Sequence, residues 1–91
     1  MKNAQISLSV DFAITRFEEV LYGLLIKSGQ YYEFSGTSAY ILNLIQNNED
    51  CSYQLLLNNI MSDFKHSSRI ENDLNKFLYQ LADEGIISIS E

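Results

Sequence analysis

The chain contains no proline and no tryptophan, a single cysteine (Cys51), a single histidine (His66) and four glycines. One cysteine excludes an intramolecular disulfide, and one cysteine with one histidine is too few ligands for a metal site of the Cys/His type. The longest apolar run, Val20 to Ile26, falls far short of the roughly 18 to 20 residues that a membrane-spanning helix needs. Asn3, Gln5, Ser7, Ser9 and Asp11 interrupt the first residues, so no signal-peptide core is present and a cytoplasmic location is expected. Neither a GxGxxG nor a P-loop pattern occurs, and no cofactor is expected. Positive charge is also scarce: six Lys and Arg face twelve Asp and Glu, a net charge of -6. Such a field repels nucleic acid and anionic membrane surfaces, so neither is an expected partner.

What remains is a 91-residue chain that is 46% apolar and 20% charged, the composition of one ordinary folded domain across residues 1–91. Ile6, Leu8, Val10, Phe12 and Ile14 alternate with the period of a half-buried strand, bent near Asp11. After a charged turn at Arg16 to Glu19, Val20 to Ile26 suits a second strand. Lys27-Ser28-Gly29-Gln30 closes a hairpin onto a third strand, Tyr31 to Phe34. Ser35 to Ser38 supply hydroxyl caps for a helix reaching about Gln46, and Ser52 caps a second helix carrying Tyr53, Leu56, Leu57, Ile60, Met61 and Phe64. Lys65-His66-Ser67-Ser68 breaks that pattern. Ile70, Leu74, Phe77, Leu78 and Leu81 restart it until Gly85, which suits a left-handed C′ position, and Ile86 to Ile89 forms a terminal strand or tail. The expected fold is α+β: a three-stranded antiparallel sheet followed by three helices, winged-helix-like.

Catalysis finds little support. His66 and Cys51 lack partners at workable spacing, and the adjacent acids Glu18-Glu19 and Asp83-Glu84 read as solvated surface. In a simple meander, by contrast, the third strand keeps one edge open. Tyr31-Tyr32-Glu33-Phe34 carries one charge and three aromatics, without the lysines or prolines that blunt such edges. An extended peptide could add there as a further strand; equally, the edge could be protected by its shortness or covered by Ile86 to Ile89. On the third helix, with Ile70, Leu74, Phe77 and Leu81 taken as core, Glu71, Asn75, Leu78, Tyr79 and Ala82 form an adjoining stripe that could line a groove, unless Leu78 is itself core.

The segment Leu24-Leu25-Ile26-Lys27-Ser28-Gly29-Gln30-Tyr31-Tyr32-Glu33-Phe34-Ser35-Gly36-Thr37-Ser38-Ala39, the second helix from Ser52 through Leu56 and Ile60 to Phe64, and the exit Asp73-Leu74, Phe77-Leu78, Leu81, Gly85-Ile86-Ile87 together resemble the PqqD-like domains, also called precursor-peptide recognition elements. The resemblance covers about residues 12 to 87. Ser35 replaces the family's usual Asn with another capping oxygen, and Lys27-Ser28-Gly29-Gln30 replaces the Pro-Glu-Gly turn of the pyrroloquinoline quinone members. The chain is more similar to the free-standing recognition proteins of lasso-peptide clusters. The resemblance implies a non-catalytic module whose partners are a precursor leader peptide and a leader peptidase or cyclase, acting as a monomer or weak dimer. It also implies a site: Tyr31, Tyr32, Glu33 and Phe34 as the strand edge, and Leu74, Asn75, Leu78 and Tyr79 as the helix wall.

Two rival readings stand beside it. A winged-helix DNA-binding regulator has the same elements, yet Arg69 and Lys76 against Glu71, Asp73, Asp83 and Glu84 leave the third helix at a net of -2. A small subunit dimerising through the open edge is the other.

Overall fold

A computed structural model describes residues 1–64 and 69–91; the expected break at Lys65 to Ser68, with His66, lies outside the described residues. The chain runs β1 (Gln5–Leu8), β2 (Phe12–Phe17), β3 (Val20–Leu25), β4 (Gln30–Phe34), α1 (Gly36–Asn47), α2 (Tyr53–Asp63), α3 (Ile70–Asp83) and β5 (Ile87–Ser90). The expected α+β arrangement holds, with β2-β3-β4 as an antiparallel sheet followed by three helices.

The single N-terminal strand expected from the alternation is two strands in two sheets. Ser9 makes the break: its carbonyl accepts from Phe12 N at 3.1 Å and its hydroxyl accepts from Asp11 N at 3.2 Å, a side-chain-stabilised turn that leaves Val10 fully exposed. Before the break, β1 pairs antiparallel with β5, from Gln5 opposite Ser90 to Leu8 opposite Ile87. After it, β2 pairs with β3 from Phe12 opposite Leu25 to Phe17 opposite Val20, and β3 pairs with β4 from Leu21 opposite Phe34 to Leu25 opposite Gln30. The C-terminal segment is therefore committed to β1 and does not cover β4, which keeps its outer edge open among the described residues.

Local chemistry sets the helix ends. Ser52 caps α2 as expected, its hydroxyl accepting from Leu55 N at 3.0 Å. At α1 the expected hydroxyl cap is not made: the Ser35 side chain bonds no helix amide, and Ser38 Oγ instead donates to Ser35 O at 2.7 Å. Helix α3 ends in a Schellman motif. Gly85 takes φ 81°, its N–H donates to Ala82 O at 3.1 Å, and Ile86 N–H reaches back to Leu81 O at 2.9 Å. That turn directs Ile86 and Ile87 into the core at the start of β5.

The helices cover one face of the β2-β3-β4 sheet. Phe12, Leu21 and Leu25 point into a core shared with Ile41, Leu42 and Ile45 of α1, Leu56 and Ile60 of α2, and Leu74, Leu78 and Leu81 of α3. Ala4, Ile6, Ile86 and Ile87 close it from the small sheet. Each fully buried aliphatic side chain contributes roughly 1.5–3 kcal/mol relative to exposure.

Candidate functional site

Strand geometry decides which β4 side chains face the helices. Residues alternate across the sheet, and Phe12 lies on the helix-facing side, beneath Gly23. Tyr32 and Phe34 join it there: ring centroids are 6.0 Å apart for Phe12 and Tyr32, 6.5 Å for Phe12 and Phe34, and 6.1 Å for the stacked Tyr32 and Phe34. Both β4 aromatics are half-buried. Tyr31 and Glu33 point to the opposite, uncovered face, where Tyr31 meets the Tyr22 ring at 6.4 Å.

Beyond the end of β4 lies a cleft of about 380 Å³. Thr37, Ser38 and Ile41 of α1 form one side, Ile60 and Phe64 at the end of α2 the back, and Ile70, Asp73, Leu74 and Phe77 of α3 the other side. Its wall is largely apolar, with Asp73 the one charged lining residue among the described residues. Phe64 is held there by an edge-on contact with the Tyr40 ring at 5.1 Å. Tyr40 is fixed in turn by its hydroxyl, which donates to Asn59 O at 3.3 Å and to the Asp63 carboxylate. Burial first, then the hydrogen bond and charge of Asp63, push the Tyr40 phenol up to about 12.

In the middle of β4, the Tyr32 phenol is raised by burial and, secondarily, by the Glu84 carboxylate that caps the close of α3. The cleft-side flank of α3 is thus Ile70, Asp73, Phe77 and Glu84, spaced by three, four and seven residues on one helical face.

Of the eight residues expected at the site, the structure brings the β4 quartet to an open edge and rearranges the helix wall. Leu74 and Leu78 are 2% and 0% exposed, so Leu78 has no surface to offer and Leu74 forms the floor of the cleft. Phe77, expected in the core, is the half-buried aromatic that lines the cleft. Asn75 sits on the far flank of α3, in a polar hollow with Met1, Lys2, Tyr53, Gln54, Leu57 and Glu71, and Tyr79 is solvent-exposed. In that hollow the Tyr53 hydroxyl and Asn75 Oδ1 are buried without a hydrogen-bond partner. Thr37, Ser38, Ile41 and Phe64 were not anticipated; only their position after the aromatic strand and at the end of the second helix hinted at them.

Among the described residues, no group of three or more His, Cys, Asp or Glu is placed to hold a metal ion. Cys51 is fully buried, and burial pushes its thiol up to about 11, far from the thiolate that a nucleophile requires. No helix among the described residues is long and apolar enough to cross a membrane.

Residues 23–87 match the family model described as Coenzyme PQQ synthesis protein D, and the chain belongs to this PqqD family. The match takes in the second half of β3, the whole of β4, the cleft and the first residue of β5. Among solved structures, the chain is similar to TbiB1 in complex with the TbiA(beta) leader peptide, with a TM-score of 0.82 and 17% identity over 90% of this chain and 94% of that one. At that identity the likeness shows a shared fold. No curated protein matches the sequence.

Proposed function

We propose that this protein captures the leader of a ribosomally made precursor peptide by strand addition to β4 and presents it to a processing enzyme, without catalytic groups of its own. The observation that carries this reading is an open, aromatic strand edge ending at an apolar cleft. Main-chain bonding along such an edge supplies affinity, and the neighbouring cleft selects a side chain. The leader complex of the structurally similar TbiB1 supports the same use of the fold. Tyr31, Tyr32, Glu33 and Phe34 form the docking edge, and Ile70, Phe77 and the floor residue Leu74 replace the helix wall read from sequence.

The processing enzyme is a leader peptidase or cyclase, and the pathway is that of a lasso peptide, as the sequence resemblance implies. Tethering the leader makes the enzyme's encounter with the attached core peptide partly intramolecular, which raises its rate through effective concentration. A monomeric or weakly dimeric adaptor in the cytoplasm fits this role.

Fluorescence anisotropy of labelled precursor leaders, titrated with the protein beside a labelled DNA duplex, tests the proposal. Saturable binding to one leader, weakened at least tenfold by Phe77→Asp and absent for DNA, is the expected result; placing a charge against an apolar side chain costs more than the 1.4 kcal/mol of a tenfold change. Binding to DNA and to no leader would overturn it.

A further inference from the structure

The fold fixes the direction in which an added strand passes α3. Phe34 ends β4 two residues before α1, whose Thr37 and Ser38 lie across the cleft from Ile70 and Phe77, so the end of β4 faces the start of α3. Hydrogen bonds place the other end. Ile86 O, just past α3, accepts from Ser9 N at 2.9 Å, and Asp11 accepts from Ile26 N at 3.0 Å and from Lys27 N at 3.2 Å, at the turn into β4. Helix α3 therefore runs antiparallel to β4. A peptide added antiparallel to β4 runs along α3, with its N-terminal part at the cleft and its C-terminal part at Glu84.

Lengths agree. The cleft residues Asp73 and Phe77 lie roughly 16 and 10 Å before Glu84 at 1.5 Å per helical residue, and the four steps from i to i+4 of an extended strand span about 13 Å, between the two. Side chains i, i+2 and i+4 of the added strand face α3, which puts i at the cleft and i+4 beside Glu84. Glu84 and Asp83 are both exposed at that end, and no ion pair engages either among the described residues.

Resting on the leader-binding reading, we propose that the peptide recognised here carries a large aliphatic or aromatic residue for the Ile41/Phe64/Phe77 cleft and, four residues toward its C-terminus, a Lys or Arg that meets Glu84. The apolar anchor supplies most of the affinity. The basic residue supplies selectivity, because an acidic one would bring like charges together at the strand edge.

The test pans a displayed library of randomised decapeptides against the intact protein and against Glu84→Lys. This exposed helix-end position favours a cation, so the variant keeps its fold. Binders of the wild type should share an apolar residue followed at the fourth position by Lys or Arg, and binders of Glu84→Lys should keep the anchor and exchange the base for Asp or Glu. In a selected peptide, Lys→Glu should weaken anisotropy-measured binding about fivefold, the upper range for an exposed ion pair, and Glu84→Lys should restore it. Anchored binders without a charge preference, or with the same preference in both proteins, would overturn the charge rule and leave strand addition standing. No binders, or binders indifferent to Phe77→Asp, would overturn both.

Discussion

Gly23 shows how one missing side chain shapes the aromatic edge. A Cβ there would lie 2.1 Å from Phe12 Cζ, and that ring is already packed against Tyr32 and Phe34. Gly23→Ala must push the ring into the two β4 aromatics, so it should destabilise the protein by about 1–3 kcal/mol, as overpacking does, read as a lower urea midpoint with an unchanged slope. Tyr40 offers a second residue-scale test. Its phenol must be protonated to donate to Asp63, and it titrates at about 12 in the folded state against about 10 unfolded. A raised pKa contributes stability that is full below pH ~10 and is lost as pH rises toward 12. The stability gap between wild type and Tyr40→Phe should therefore shrink over that interval; a constant gap in urea midpoints would show that Asp63 does not hold the proton.

Helix α3 is the element in which sequence and structure part most instructively. Phe77 and Leu78 are adjacent and both apolar, so a helical pattern centred on Ile70, Leu74, Phe77 and Leu81 reads as well as one centred on Leu74, Leu78 and Leu81. The choice rests on what packs against each flank, which spacing alone does not contain. The exchange has a measurable consequence. Leu78→Ala should cost about 2–5 kcal/mol of stability, while Phe77→Ala should cost less and weaken leader binding more. Equal stability losses in urea unfolding would return Phe77 to the core. Features with a local cause were legible: the Ser52 cap, the Gly85 terminus, the β3-β4 hairpin and the open aromatic strand. The pairing of β1 with β5 was not, because partners some eighty residues apart leave no local mark, and the two-residue alternation ran unbroken through the turn at Ser9.

On the scale of the molecule, the small sheet and the large one divide the work. Pairing of β1 with β5 ties the two ends of the chain together beneath the helices, and Ile86 and Ile87 anchor that tie in the core. Removal of the residues after Gly85 would therefore take away core, not a cover over β4. The large sheet is left with helices on one face, an aromatic edge at β4 and the apolar cleft at its end. The chain's net charge of -6 is in keeping with a peptide partner that brings positive charge and against phosphate binding.

Strand addition at β4 is the central claim, and amide hydrogen exchange of the protein with and without a saturating leader peptide reads it most directly. The expected result is slowed exchange at the β4 amides that do not pair with β3, together with the α3 segment around Phe77, and little change in β1 and β5. Protection that falls on the polar hollow around Tyr53 and Asn75, with β4 exchanging as before, would contradict it.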